Sequence, residues 1–123
     1  MSPKALATLE GHPPPPKKSL GQNFLVDTRV RARILSAADL APDDVVLEIG
    51  PGRGFLTRGL AARVGRVVAI EIDGELTQRL SDAFDEQPQV TVVEADAREV
   101  DIDTLAPVGK PYKLVANLPY YAA

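Results

Sequence analysis

The class of fold is predicted most directly from one segment, Val45-Val46-Leu47-Glu48-Ile49-Gly50-Pro51-Gly52-Arg53-Gly54. Its first part is apolar except for Glu48, a pattern that predicts a strand buried on both faces of a sheet. Glycines then alternate with larger residues, and Leu56, Leu60 and Val64 recur at helical spacing after them. A strand, a glycine loop and a helix in this order are typical of a nucleotide-binding βα unit.

The glycine loop also restricts the class of ligand. Gly50 and Gly52 let the backbone come close to a ligand, and Gly54 is expected to let the start of the helix pack on the strand. Dinucleotide enzymes prefer G-x-G-x-x-G/A, but here Phe55 takes the place of the third glycine or alanine. The loop instead resembles the first motif of S-adenosylmethionine-dependent methyltransferases, whose cofactor has no pyrophosphate.

Strands and helices continue to alternate along the chain. Further strands are predicted at residues 67–70, 90–93 and 113–116. The helix between the first two of these has Leu76, Leu80, Ala83 and Phe84 on its apolar face. Another helix precedes the strand at residues 45–49 and is expected to be capped by Asp27 or Thr28. Its apolar face has Val30, Ile34, Ala37 and Ala38. This alternation predicts an α/β fold, a parallel sheet with flanking helices.

The composition excludes some classes of protein but does not indicate a binding partner. The chain is 45% hydrophobic and 25% charged, as in globular proteins, and its net charge of -3 does not indicate a nucleic-acid binder. Arg29, Arg31 and Arg33 are expected to form a solvated helix face. Cysteine is absent, which excludes disulfides and thiolate zinc sites, and no metal site is expected. Without an apolar stretch of membrane-spanning length, we expect a cytoplasmic protein with no membrane partner.

Residues 1–16 differ in character from the rest of the chain. They have no hydrophobic period and end in four prolines, so we expect a disordered, proline-rich tail. The single histidine, His12, lies in this tail and is expected to be solvated rather than catalytic. Residues 17–123 form the predicted α/β domain.

Acidic residues lie inside the first strand, at Glu48, and at the ends of the second and third strands, at Glu71 and Asp96. Glu71 follows the glycine loop by about twenty positions, where an acidic residue meets ribose hydroxyls, although a solvated strand end is the alternative. Asp96 could reach an adenine amino group, or be an ordinary surface aspartate. Glu48 is expected to point at the loop or at the amino acid end of the cofactor, or to have a helix-capping or buried paired role. Because parallel strands share one carboxyl edge, we expect Gly50, Glu71 and Asp96 to meet there.

The fourth strand leads into Asn117-Leu118-Pro119-Tyr120. Pro119 cannot donate to a strand ladder, so the strand should end near Asn117. The Asn117 side-chain oxygen and the Leu118 carbonyl could accept the two hydrogens of an exocyclic amine, and Tyr120 could stack on the ring. The pattern suits chemistry on a flipped-out base; the alternative is a proline-terminated strand with a surface tyrosine.

Several motifs together resemble, in order and spacing, those of the ribosomal RNA adenine dimethyltransferases. The resemblance covers residues 17–121 and is strongest to the bacterial enzymes that dimethylate two adjacent adenosines of small-subunit rRNA. It implies a Rossmann-like methyltransferase fold that uses S-adenosylmethionine and acts on rRNA as a monomer. The motifs are Gly21-Gln22-Asn23-Phe24-Leu25, Leu47-Glu48-Ile49-Gly50-Pro51-Gly52, Glu71-Ile72-Asp73, Asp96-Ala97 and Asn117-Leu118-Pro119-Tyr120-Tyr121.

The resemblance also implies the residues of the site. Asn23 and Leu25 would fold over the cofactor, Glu71 would bind its ribose and Asp96 its adenine, whereas Arg53 departs from the small or apolar residue expected there. The implied cofactor-binding residues are Asn23, Leu25, Gly50, Gly52, Glu71, Ile72, Asp96, Ala97 and Asn117. The implied catalytic residues are Asn117, Leu118, Pro119 and Tyr120.

Three alternatives remain open at this point. A sister family that methylates large-subunit rRNA and gives macrolide resistance shares these motifs. A non-catalytic RNA-binding factor of ribosome assembly is the second, and a nicotinamide-dependent dehydrogenase, disfavoured by Phe55, is the third. Because family members continue well beyond this length, we expect an amino-terminal fragment, truncated after the fourth strand, that is marginally stable and inactive alone.

Overall fold

The computed structural model describes Leu6–Ala7 and residues 28–116. Within that part the helices are α1 (Thr28–Ala37), α2 (Phe55–Ala61) and α3 (Gly74–Ala83). The strands are β1 (Leu6–Ala7), β2 (Val45–Ile49), β3 (Arg66–Glu71), β4 (Val90–Glu94) and β5 (Lys113–Ala116), and a short 3-10 helix spans Ile102–Leu105. The predicted alternation of strands and helices is confirmed, with β3 and β4 slightly longer than the sequence indicated.

The strands form one parallel sheet in the order β1-β5-β2-β3-β4. At the end of β2, Ile49 is paired with Ile70 of β3 and with Ala116 of β5, and Glu71 of β3 is paired with Glu94 of β4. These four strands therefore end side by side. We call the backbone that follows them, from Gly50, Ile72, Ala95 and the end of β5, the carboxyl edge.

Both faces of the sheet are covered, so β2 and β3 are buried along almost their whole length. On one face, strand side chains such as Val46 and Val67 pack with Ile34 of α1 and Leu60 of α2. On the other face, the 3-10 helix and the chain leading to β5 pack on the sheet. The buried residues of this face, from the strands and from the chain that packs on them, are Val45, Leu47, Val68, Ile70, Ala106 and Tyr112.

Two predicted core positions are wrong. Ala37 of α1 and Ala83 of α3 are exposed, whereas Leu35 of α1 is buried. Both helices lie against the sheet along a narrow stripe, so a helical spacing alone does not decide which border positions reach the core.

Strand β1 lies within residues 1–16, where the sequence predicted a disordered tail. Leu6–Ala7 pairs in parallel with β5, Leu6 with Leu114 and Ala7 with Val115. An edge strand offers unpaired N–H and C=O groups that an extended apolar dipeptide can join, which accounts for the pairing. Residues 1–5 and 8–16 of the tail, like the predicted cap at Asp27, lie outside the described residues.

The amino-terminal end of the sheet holds a buried cation. The ammonium group of Lys113, at the start of β5, is 2.8 Å from a carboxylate oxygen of Asp44, and the Lys113 side chain is only 8% exposed. Its Nζ also donates to the backbone carbonyl of Asp39, in the turn after α1. This network ties β5 to the turn between α1 and β2, at the end of the sheet opposite the carboxyl edge.

Candidate cofactor site

The glycine loop makes a sharp turn from β2 into α2. Gly50, Gly52 and Gly54 have φ values of 71°, 58° and 87°, in the left-handed region that glycine adopts without steric cost. The Gly50 N–H donates to the Ile70 carbonyl at 3.0 Å, and the Gly54 N–H donates to the Pro51 carbonyl at 2.9 Å. The alternate glycines are therefore a backbone requirement of the turn.

Gly54 packs differently from the sequence-based expectation. A Cβ at this position would lie 2.9 Å from Leu80 Cδ2 and 3.0 Å from Phe84 Cε2. Leu80 belongs to α3 and Phe84 caps its end, so Gly54 makes room for α3 and not for the strand before the loop. The sequence pattern contained no signal for this contact, because it depends on how α3 crosses the sheet.

Glu71 ties the end of β3 to the glycine loop. Its Oε1 accepts a hydrogen bond from the Gly52 N–H at 3.2 Å, and its Oε2 accepts one from the Asp73 N–H at 2.9 Å. The residue is only 6% exposed, so the alternative of a solvated strand end is wrong. A carboxylate can accept more than two hydrogen bonds, which leaves acceptor capacity for ligand hydroxyls.

An exposed apolar side chain and a helix cap follow Glu71. Ile72 is 61% exposed, which leaves an apolar surface beside a carboxylate. Asp73 caps α3 by accepting hydrogen bonds from the N–H groups of Glu75 and Leu76 at 2.9 and 3.1 Å. This cap was not predicted from the sequence, although an aspartate just before a helical period is a recognised signal.

Asp96 reaches the carboxyl edge but is paired there with a neighbour. The Ala95 N–H donates to the Glu71 carbonyl at 3.0 Å, which brings this segment beside the end of β3. The Asp96 carboxylate accepts hydrogen bonds from the Arg98 N–H, Nε and Nη2 at 2.9, 3.0 and 2.8 Å. These bonds lower the pKa of Asp96 to about 2. Arg98 was not predicted as its partner, and Ala97 between them is half-buried.

Glu48 is fully buried beneath the loop. Its Oε1 accepts a hydrogen bond from the Thr57 hydroxyl of α2 at 2.5 Å. Its Oε2 has no hydrogen-bond partner among the described residues. Burial raises the pKa of Glu48 to about 7, against the effect of the Thr57 hydrogen bond and with a smaller upward contribution from the charge of Glu71. Of the roles considered from the sequence, the structure thus supports a buried residue paired with a helix.

One arginine of α1 reaches the start of α2. The guanidinium carbon of Arg31 lies 4.2 Å from the centroid of the Phe55 ring, and its Nη1 is 3.4 Å from the Phe55 carbonyl oxygen. The prediction of a solvated face is therefore wrong for Arg31, while Arg29 and Arg33 are exposed. The contact links α1 to the residue that follows the glycine loop.

The carboxyl edge brings together those predicted site residues that the structure describes: Gly50, Gly52, Glu71, Ile72, Asp96 and Ala97. Asn23, Leu25, Asn117, Leu118, Pro119 and Tyr120 lie outside the described residues. The last described residue of β5, Ala116, is paired with Ile49, immediately before the glycine loop. In the described part of the chain, no cluster of three or more potential metal ligands occurs, and no helix could span a membrane.

A parallel sheet, a left-handed glycine loop and a buried acidic residue tied to that loop define the class, the S-adenosylmethionine-dependent methyltransferase fold. Two solved structures support this assignment. The 23S rRNA methyltransferase ErmE superimposes with a TM-score of 0.66 at 39% identity, over 76% of this chain and 36% of that one. A dimethyladenosine transferase from Plasmodium falciparum superimposes with a TM-score of 0.64 at 27% identity, over 79% of this chain and 34% of that one.

The chain belongs to the ribosomal RNA adenine dimethylase family, whose model matches residues 16–123. The ribosomal RNA small subunit methyltransferase A of Pelotomaculum thermopropionicum is 48% identical over 115 residues, which cover 86% of this chain and 39% of that protein. The family resemblance identified from the motifs is thereby confirmed. The chain spans 36% to 40% of the length of the curated relatives it matches.

Proposed function

We propose that this chain forms the cofactor-binding part of an enzyme that transfers methyl groups from S-adenosylmethionine to N6 of adenosines in small-subunit rRNA. The observation that carries the proposal is the hydrogen bond of Glu71 to Gly52, which fixes an acidic strand end against a left-handed glycine loop. Family membership and the small-subunit names of the relatives support the choice of rRNA. We further propose a monomer that acts in the cytoplasm on the small subunit or its precursor.

The described residues fit such a cofactor. Gly50 and Gly52 leave the backbone open to close approach, and Glu71 has acceptor capacity for the ribose hydroxyls. Ile72 offers an apolar surface to the purine, and Asp96 an acceptor for the adenine amine. S-adenosylmethionine, when bound, supplies an electrophilic methyl group on a sulfonium sulfur.

The residues after β5 would orient the target base. We propose that the Asn117 side-chain oxygen and the Leu118 carbonyl accept the hydrogens of the adenine amine, with Pro119 ending the strand and Tyr120 stacking on the ring. Asn23 and Leu25 would cover the cofactor. A strong base is not required, because the N6 protons become acidic only as the new bond forms, so positioned acceptors suffice.

Cofactor binding tests the site directly. Titration calorimetry with S-adenosylmethionine should detect one site, and Glu71→Gln should weaken binding by about tenfold or more, because an amide accepts fewer hydrogen bonds than a carboxylate. Glu94→Gln is the matched control, because Glu94 ends the neighbouring strand but is exposed. Equal affinity of the wild-type chain and the Glu71 variant would refute the role of Glu71.

Activity is tested with the protein expressed from its complete reading frame. Radiolabelled cofactor and small-subunit rRNA should yield N6,N6-dimethyladenosine, and Asn117→Ala should abolish transfer while cofactor binding is mostly kept. Modification of large-subunit rRNA instead would favour the macrolide-resistance type of enzyme. RNA binding with neither cofactor affinity nor transfer would favour a non-catalytic assembly factor.

A further inference from the structure

Two carboxyl groups lie beneath the glycine loop in very different surroundings. Glu71 receives two backbone N–H groups, from Gly52 and Asp73. Glu48 receives one hydroxyl, from Thr57, and its second oxygen has no partner among the described residues. Both residues are buried, at 0% exposure for Glu48 and 6% for Glu71. The two groups therefore differ in how well the protein supports a negative charge on them.

No cation in the described part of the chain forms an ion pair with Glu48. On β3, the charged neighbour of Glu48 is Glu71, whose charge repels it. On β5, Lys113 pairs with Asp44 at the far end of the sheet. The arginines of the two packed helices also lie elsewhere: Arg31 of α1 lies over Phe55 and Arg58 of α2 over Phe84. The other two arginines of α1, Arg29 and Arg33, are exposed.

An ionised carboxylate with one unsatisfied oxygen is costly inside a protein, so such a group takes up a proton. We propose that Glu48 is a further residue of the cofactor site, one that holds a proton on Oε2 in the free protein and releases it when a cationic cofactor binds at the carboxyl edge. This inference rests on the proposed function, which assigns S-adenosylmethionine to this site.

The proton balance of the step is simple. S-adenosylmethionine has a sulfonium, an ammonium and a carboxylate, so its net charge is positive. Binding brings that charge to the end of β2, where Glu48 lies one residue before Ile49 and two before Gly50. The Oε2–H bond of Glu48 breaks, the proton goes to the solvent, and the carboxylate that remains balances the charge of the ligand. Glu48 thereby stabilises the bound cofactor by the attraction between opposite charges, without a hydrogen bond to it.

The size of the effect follows from the pKa of Glu48, about 7 in the free protein. At about pH 6.5 roughly three-quarters of the Glu48 side chains carry the proton, and at about pH 8.5 almost none do. Cofactor binding should therefore release roughly three-quarters of a proton at the lower pH and almost none at the higher. Affinity should rise with pH up to about 7 and then level off.

Calorimetric titration of S-adenosylmethionine in two buffers of different ionisation enthalpy measures the protons released. The wild-type chain should show the release just described, and Glu48→Gln, which cannot ionise, should show none at either pH. Thr57→Val is the matched variant: loss of the hydroxyl removes a bond that favours the ionised form, so the release should persist to higher pH than in the wild type.

A second measurement does not depend on the stability of the variants. Carboxyl carbon NMR of the wild-type chain should show Glu48 titrating near 7 without the cofactor and well below that with it. A Glu48 that only supports the fold would titrate at the same pH in both states. Cofactor binding without proton release, or with unchanged release in Glu48→Gln, overturns the inference, whereas absence of binding by the wild type overturns the proposed function.

Discussion

Replacement of Gly54 by alanine tests how the glycine loop is held. Gly54 has a φ of 87°, and an added Cβ would lie 2.9 Å from Leu80 Cδ2. Two costs therefore add. The left-handed conformation costs an alanine about 1 to 2 kcal/mol, and forcing a methyl group into a packed core costs about 1 to 3 kcal/mol. Alanine also lowers the conformational entropy of the unfolded chain, which offsets about 0.4 to 1 kcal/mol of the destabilisation. We expect Gly54→Ala to destabilise the fold by about 2 to 4 kcal/mol.

Gly109 offers the matched control within the same chain. Its φ is 80°, but a Cβ there would meet nothing within 4 Å. Gly109→Ala thus shares the conformational cost without the clash and should destabilise the chain by about 0 to 1.5 kcal/mol. The difference between the two variants, about 1 to 3 kcal/mol, is the packing cost against α3.

Urea denaturation followed by far-ultraviolet circular dichroism measures both free energies of unfolding. Leu80→Ala, combined with Gly54→Ala, should be less destabilising than the sum of the single variants, because the shorter side chain removes the clash. Equal costs at Gly54 and Gly109, together with additive effects in the double variant, would refute the packing argument.

Other predictions concern the charged groups of the described residues. Because the pKa of Glu48 is raised in the folded state, the stability it contributes is present below the unfolded value of 4.5 and lost as pH rises to about 7. The wild type should lose about 3 kcal/mol of stability over that window relative to Glu48→Gln, as measured by urea denaturation. Lys113→Met should destabilise the chain by about 2 to 4 kcal/mol, since it removes a buried ion pair with Asp44 and a hydrogen bond to the Asp39 carbonyl, and 1 M salt should change that cost little. A melting curve unchanged by Lys113→Met would contradict this. Arg98→Ala should return the pKa of Asp96 from about 2 toward 3.8 in a carboxyl NMR titration, and a value that stays near 2 would show another cause.

The class of fold and the position of the candidate site along the chain could be predicted from the sequence alone. The apolar run at Val45–Ile49 and the alternate glycines after it predict a strand and a loop that leads into a helix. Such a prediction is possible because strand and helix periods are local properties of the chain. The carboxyl edge followed as well, because parallel strands connected by helices must all end on the same side. Family motifs such as Glu71-Ile72-Asp73 then gave the residues of that edge a chemical meaning.

The contacts of each of these residues became known only from the folded molecule. Gly54 faces α3, Arg31 lies over Phe55, and Glu48 accepts a hydrogen bond from the Thr57 hydroxyl, in pairs separated by nine residues or more. Such contacts depend on how helices lie across the sheet, and the sequence pattern fixes only which face of a helix is apolar. Hydrogen-bond partners also distinguish Glu71 from Glu48, although both are buried acidic residues of strands. Glu71 accepts from two backbone N–H groups, whereas one oxygen of Glu48 has no partner among the described residues. The pKa of Glu48 is therefore a property of the packed molecule, because it depends on the exclusion of water and on the placement of partners in space.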